Sequence, residues 1–460
     1  MTHHQYHRGV QPYLTGINYL KVGILFVFIL ILSSCNPFIT TGTTEGEDDN
    51  LPSLPPINPD ISSEVITLEV WLDLDFVRDV TLFEEMATDF EQAYPQVEVN
   101  INSFIRQSMA QKVKLAVDTY DPPDLVQGHV YAMAGQGLAE PIEQQWQTWE
   151  ATNPNAASQF LPEAMQEVTW RGNRYGIPLD VYTLVLLYNR DHFDELGLPY
   201  PEADHDLFTL IESAATLSRP EENRYGIGLT TDPWYSYVWI TGAGGDVLVG
   251  DDETGFSLTL ASETNIDVLT FMTEMIQVGY GPRPSTRPRD YEDARAQFLE
   301  GNISIYFGEP QDIHLIQSTL PDFPLGVAQL PKTPALDSAT SVLGSSGLFI
   351  PRGARHQEVA FEFMKWATND RYAVPMARQT GRYPAKIWLR TSPEFTENLA
   401  LTPFFEQLEV ARPYRLDLFP EVEELFSDAI KKSFYNISLP HEALQEAQTL
   451  GEDTMLETSP

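Results

Sequence analysis

From Glu64 onward, short apolar runs alternate with amphipathic ones. Ile66-Thr-Leu-Glu-Val-Trp-Leu72 alternates apolar and polar positions and is β-branched at its start, which predicts a strand. Leu82, Phe83, Met86 and Phe90 recur at helical spacing, and Tyr94-Pro95 ends that helix because a proline disfavours helical backbone in the residue before it. Val97-Glu-Val-Asn-Ile101 predicts a second strand, Ile105, Met109, Val113 and Ala116 a second helix, and Pro123-Asp-Leu-Val-Gln127 a short third strand. Strand–helix–strand–helix–strand with short links predicts a parallel α/β sheet, whose ligands sit beyond the carboxyl ends of its strands. Tyr175 to Arg190 is a long strand signal, apolar enough in its middle and long enough to cross between two lobes, with a helix start at Asp191. Gly301–Gly308 and Ser341–Ile350 are two further glycine-punctuated strands, and helical patterns run over Ile266–Val278 and Gln357–Thr368. There is no short internal repeat and no heptad run.

The first 34 residues differ from all of this. They carry Arg8 and Lys21 and no acid, and Val22–Leu32 is an apolar run following Lys21 directly. A spanning helix needs about 20 apolar residues, so this run has the length of a secretory leader's core. Leu32-Ser-Ser-Cys35 places small residues before a lone cysteine and resembles the lipobox of bacterial lipoproteins. That resemblance implies a signal peptide over 1–34, cleavage before Cys35 and a lipid on its thiol, giving attachment outside the cytoplasmic membrane. Residues 36–63, rich in Pro, Gly, Thr and acids, are expected to form a flexible tether. The sequons at Asn302 and Asn436 are read as chance, since a lipobox implies a bacterial source.

Composition narrows the function. The 460 residues include 28 Lys+Arg against 66 Asp+Glu, a net charge of −38. Nucleic-acid binding and adhesion to anionic lipid both need clustered cations and are disfavoured. The acidity is read as a source of solubility. With 42% apolar residues the chain has enough material for real cores, and its length suggests two or three domains or two large lobes. One cysteine forbids an intramolecular disulfide and any cysteine-based cluster.

In their order along the chain, several stretches resemble the family-1, sugar-type solute-binding proteins of bacterial ABC importers. They are Val70-Trp71 with Asp73 and Asp75; Pro123-Asp124 with Gly137-Leu-Ala-Glu-Pro-Ile142; Tyr175-Gly-Ile-Pro-Leu-Asp180 with Leu187-Tyr-Asn-Arg190 and Leu196-Gly-Leu198; Gly244-Gly-Asp-Val-Leu248; Phe298-Leu-Glu-Gly-Asn302 with Tyr306-Phe-Gly-Glu-Pro310; Val342-Leu-Gly-Ser-Ser-Gly347; and Gly381-Arg-Tyr-Pro-Ala385. Departures from the family pattern are Glu309, Gln311 and the stretch Tyr200–Leu207. The resemblance implies a type II periplasmic-binding-protein-like fold, α/β, with two lobes that are each a mainly parallel sheet flanked by helices. Three crossover segments would join them, with 64–180 plus 307–345 forming the first lobe and 181–306 plus 346–460 the second. It also implies a monomer that captures a sugar or oligosaccharide and hands it to the importer's permease, without cofactor, metal or catalysis.

Sugar recognition needs flat rings against apolar C–H faces, and charged or amide groups against hydroxyls. On the family match, the loops facing the cleft offer Asp75, Tyr131, Asp180, Tyr182, Trp234, Tyr237, Trp239, Glu309, Gln311, Ser345, Ser346, Arg382 and Tyr383. Each also has a structural reading: Asp73 or Asp75 as a helix cap, His129 as a surface residue, Asp180 and Tyr182 as hinge hydrogen bonds. Tyr235 and Trp239 can be core neighbours, and Arg382 and Tyr383 can lie on the surface. Arg283, Arg287, Arg289 and Arg295 form a basic cluster, read as a solvated loop unless the ligand is anionic. No nucleophile-elbow, zinc-protease, Walker or dinucleotide motif occurs, and His129, His192, His205, His314, His356 and His441 lack metal-ligand spacing. The alternatives are the same scaffold with a glycerol phosphate ester or polyamine, an extracellular carbohydrate-active enzyme with paired carboxylates, or a partner of a sensing receptor.

Overall fold

The computed structural model describes residues 53–54, 57–58, 64–73, 77–104, 106–202, 205–287, 289–336 and 339–458. The chain divides into Met1–Leu51 and Pro52–Pro460, and the described residues all belong to the second unit. The expected leader, Cys35 and Asp75 lie outside the described residues. No helix among the described residues is long and apolar enough to cross a membrane.

The first sheet has strand order Val97–Phe104, Ile66–Asp73, Leu125–Gly128, Gly347–Phe349, Gly176–Pro178. Its first three strands run parallel, as the alternating βαβαβ pattern predicts, while Gly347–Phe349 is antiparallel to both of its neighbours. Leu68, Val70 and Leu72 are fully buried beneath the helix Val77–Ala93, whose Leu82, Phe83, Met86 and Phe90 form the expected inner face. Phe90 meets Phe363 and Trp366 edge-on at 5.1 and 5.5 Å, which docks the late helix Gln357–Ala367 on this lobe.

The second sheet has order Leu325–Ala328, Val185–Asn189, Ile303–Gly308, Tyr225–Ile227, and only its last pair is parallel. The helices Pro420–Phe434 and Pro440–Thr458 pack on Glu263–Gln277 beside it. Between the two sheets lies a hinge sheet, Tyr383–Pro384, Asp180–Thr183, Ser341–Gly344, Ala411–Pro413.

Three sequence expectations need correction. Both lobe sheets are mixed rather than mainly parallel, because segments returning through the hinge re-enter a sheet antiparallel to the strand they join. The lobe boundaries also shift: Leu325–Ala328, expected in the first lobe, pairs with Val185–Asn189 in the second sheet, and Gly347–Phe349, expected in the second lobe, pairs in the first. Last, the segment holding Glu309 and Gln311, expected at the second crossover, is no crossover. It follows a strand of the second sheet, and the helix Pro310–Thr319 leads on to another strand of that sheet.

Two smaller differences concern segments read as solvated. At the end of the expected tether, Leu54 packs against the core and the Asn58 backbone N–H donates to the Tyr94 hydroxyl at 2.9 Å. The basic cluster is neutralised internally: Arg289 pairs with Glu292 at 2.7 Å, Arg295 with Asp312 at 3.1 Å, Arg287 with Asp293, and Arg283 lies over the Tyr435 ring.

Candidate ligand-binding cleft

Each lobe presents its residues at the end of a regular element. On the first lobe, the buried strand Leu125–Gly128 ends at the N-cap His129, and the helix Val130–Gly135 carries Tyr131 in its first turn. On the second lobe, Asp232 caps the helix Pro233–Gly242: its carboxylate accepts from the Trp234 N–H at 2.9 Å, and Pro233 fits the first helical position. That cap places Trp234 at the cleft. From the hinge, Ala411–Pro413 leads into Tyr414, Arg415 and the short turn Leu416–Leu418.

These ends converge on a narrow, nearly closed space lined by His129, Val130, Tyr131, Glu167, Trp234, Leu343, Gly344, Ser345, Tyr414 and Asp417. Its floor is the hinge strand Ser341–Gly344, where a Cβ on Gly344 would lie 2.1 Å from the Tyr182 ring, so only glycine lets that ring lie flat on the backbone. Tyr182 adjoins Trp234 at 5.5 Å, and Trp234 meets Tyr414 edge-on at 5.4 Å.

Polar groups complete the wall. His129 is held at both ring nitrogens, with the Tyr182 hydroxyl 2.7 Å from Nε2 and the Asp417 carboxylate 3.1 Å from Nδ1. An ionised carboxylate can only accept there, so opposite it Nδ1 carries a proton and, in the neutral ring, Nε2 accepts from the phenol. Arg415 donates twice to Glu167, at 2.8 and 2.9 Å, and its guanidinium lies 3.7 Å from the centre of the Tyr131 ring. Burial pushes the Glu167 carboxyl up against the pull of Arg415, and it pushes the Tyr131 phenol up to about 12. The indole N–H of Trp234 and Oδ1 of Asp417 are buried and have no hydrogen-bond partner among the described residues. Buried polar groups in native proteins nearly always find one. Rings, paired charges and two orphaned polar atoms therefore face one space between the lobes, an arrangement suited to holding a neutral polar solute by contact rather than by reaction.

Of the residues expected to touch ligand, Tyr131, Trp234 and Ser345 line this space and Tyr182 adjoins it. Asp180, Ser346 and Arg382 engage one another instead. Asp180 accepts from the Ser346 N–H at 2.9 Å, the Ser346 hydroxyl at 2.7 Å and Arg382 at 2.8 Å, while Arg382 also donates to Asp79 at 3.0 Å. This knot ties the hinge to the first turn of Val77–Ala93. Tyr237 sits beneath the cleft, its hydroxyl 3.2 Å from Asp246. Trp239 stacks on Phe307 at 5.2 Å in the second-lobe core, and Tyr383 is buried among Phe395, Phe404 and Phe405. Glu309 caps the helix Pro310–Thr319, and Gln311 lies in that helix's first turn against Gly381. Glu167, Tyr414, Arg415 and Asp417 were not expected. For Tyr414, Arg415 and Asp417 the only signal was the alternation of rings and charges in Ala411-Arg-Pro-Tyr-Arg-Leu-Asp-Leu-Phe419, and Glu167 had no local signal.

Two lobes of mixed sheet, a hinge sheet between them and a ring-lined space at that hinge define a type II solute-binding fold. Comparison with known proteins agrees. The profile of the bacterial extracellular solute-binding proteins matches residues 85–403, and the chain belongs to that family. The chain is 25% identical to the maltodextrin-binding protein of Bacillus subtilis over 279 residues, which is 60% of this chain and 65% of that protein. That is just under two thirds of the relative's length. It is also 25% identical to the diacetylchitobiose-binding protein of Streptomyces coelicolor, across 71% of this chain and 75% of that one. Among solved structures, the ABC substrate-binding protein of Listeria monocytogenes in complex with cycloalternan superposes with a TM-score of 0.72 at 19% identity, covering 85% of this chain and 99% of that one. The acarbose-binding receptor of Streptomyces glaucescens gives 0.73 at 18% identity, with the same coverage.

Proposed function

We propose that this protein captures a sugar or short oligosaccharide outside the cytoplasmic membrane and delivers it to the transmembrane subunits of an ABC importer. The observation that carries this reading is the convergence of Tyr131, Trp234 and Tyr414 with Glu167, His129, Ser345 and Asp417 on one interlobe space. Rings match the apolar faces of pyranoses, and the carboxylates, serine and imidazole match their hydroxyls. The sugar ligands named for the relatives and structural neighbours support the same class.

Capture needs no covalent step. Only closure brings both walls onto the solute, so the solute stabilises the closed form by its extra contacts there. The chain works as a monomer without cofactor or metal, attached through lipid on Cys35 after removal of 1–34. Within it, the first lobe comprises the sheet built on Ile66–Asp73 with the helix Gln357–Ala367, and the second the sheet built on Val185–Asn189 with the last two helices.

A thermal-melt screen of the full chain against a carbohydrate panel tests this. A binding solute raises stability by RT ln(1 + [L]/Kd), and one sugar class should do so selectively. Trp234→Ala should abolish that shift while leaving the unliganded melting temperature close to wild type. If no carbohydrate shifts the melt while phosphorylated or amine solutes do, the sugar assignment is wrong.

A further inference from the structure

Outside the pocket, the lobes meet at a second place. The hairpin Thr169–Trp170 with Asn173–Arg174 packs on the first-lobe helix Val130–Gly135, and its turn is Arg171–Gly172. Both turn residues have left-handed backbones, with φ of 46° at Arg171 and 73° at Gly172. Paired positive φ values belong to the tight hairpin turn that suits the twist of its strands. The cost of placing a non-glycine residue there is borne by an exposed arginine. On the other lobe, the hairpin Leu248–Asp251 with Gly255–Leu258 packs on the helix Pro440–Thr458, and Asp252 stands in its turn. Asp251 orders that turn by accepting from the Glu253 and Thr254 N–H groups at 3.1 and 2.6 Å.

The two tips are joined. The Arg171 backbone N–H donates to the Asp252 carboxylate at 2.6 Å, and the Arg171 Nε–H to the Asp252 carbonyl at 2.8 Å. Just inside, Trp170 stacks on Phe256 with ring centres 6.5 Å apart and meets Tyr131 edge-on at 4.9 Å. A continuous seam thus runs from the buried Arg415–Glu167 pair through Tyr131, Trp170 and Phe256 to the exposed Arg171–Asp252 contact. Neither Arg171 nor Asp252 lines the pocket.

We propose that Arg171 and Asp252 form a clasp that holds the lobes together from outside the pocket, setting the closed population and the rate at which a bound solute leaves. The turn geometry supplies the reason: both hydrogen bonds run to one residue, and the first is donated by a backbone N–H already fixed by its own hairpin, so that bond forms with little further loss of freedom. Opening the lobes breaks both bonds at once and returns the groups to water. The buried Arg415–Glu167 pair regains its hydration on opening, so the clasp, made at the solvent edge, is the contact that tips the balance. The claim about release rests on the capture function proposed above; the claim about lobe closure does not.

The test uses the full chain carrying Cys35→Ser with fluorophores on Tyr120→Cys and Ile437→Cys, which are exposed sites on the two lobes. Asp252→Ala removes the carboxylate that accepts from the Arg171 N–H, and Arg171→Ala removes the Nε–H donor; each should lower the ligand-free closed-to-open ratio by about threefold to tenfold. With maltotriose as probe, dissociation should quicken by the same factor, and by that factor again for any second solute, because no ligand contact is removed. An unchanged interlobe distance distribution in both variants overturns the clasp, whether or not maltotriose binds. A shifted distribution with no sugar of the carbohydrate panel bound supports the clasp and refutes the sugar reading instead.

Discussion

Replacing Arg382 by methionine separates a hinge residue from a ligand contact. Arg382 bridges two carboxylates that are almost wholly sequestered, Asp180 at 1% and Asp79 at 2% exposure, through bonds of 2.8 and 3.0 Å. Removing one partner of a buried ion pair costs about 3–5 kcal/mol, because the remaining charge keeps its desolvation penalty without its counter-ion. Two features place the expected cost near the lower end. Asp180 keeps the Ser346 N–H and hydroxyl on its other oxygen, and Asp79 sits in the first turn of Val77–Ala93, where the helix dipole favours an acid. A loss of about 3–4 kcal/mol follows for Arg382→Met. With an unfolding entropy of about 2.1 cal/mol/K per residue over a unit of roughly 400 residues, the melting temperature should fall by about 4 °C. Calorimetry of the unliganded protein reads this directly, and isothermal titration with a sugar found in the melt screen reads the binding. A variant that melts within about 1 °C of wild type but no longer binds would refute the hinge-knot reasoning and return Arg382 to the ligand.

Three further outcomes follow from single environments. Lys386 is buried over the Phe160 ring with Gln159 and Asp370 as partners, and desolvation pushes its ammonium down from 10.5 to about 8. Between those values the unfolded chain holds a proton that the folded one has released, so this group makes stability rise with pH from about 8 to 10.5, by up to about 3 kcal/mol; Lys386→Met should flatten that part of a urea-denaturation pH series. Gly344→Ala sets a methyl group 2.1 Å from the Tyr182 ring and should cost about 1–3 kcal/mol, largely recovered in the double variant with Tyr182→Ala, as a double-mutant cycle in urea would show. Tyr131→Ala removes the ring under Arg415 and should weaken sugar binding measured by calorimetry at least as much as any change in stability accounts for; equal binding in the variant would remove Tyr131 from the site.

Periodicity made much of the architecture legible. The alternation from Ile66 to Leu72 and the spacing of Leu82, Phe83, Met86 and Phe90 depend only on which side of a strand or helix meets the core, and neighbours along the chain determine that. Loops were harder to assign. Asp180, Arg382 and Ser346 have the chemistry of ligand contacts, and only their mutual distances show them bound to one another. Trp239 and Tyr383 are aromatic residues beside glycines in sequence, yet each turns into a core whose other rings come from far along the chain. Glu167 and Arg415 are 248 residues apart, and nothing local in either segment announces the partner.

By itself, the sequence determined the principal strands and helices and the α/β class, because hydrophobic periodicity and turn chemistry act over a few residues, while the two lobes and the loops facing a ligand were implied by the family resemblance. Tertiary structure alone decided which lobe each returning segment joins, which polar side chains satisfy one another and which rings are left facing the cleft. Those outcomes depend on burial and on contacts between distant segments, where desolvation makes a few ångströms the difference between a buried ion pair and an open binding group.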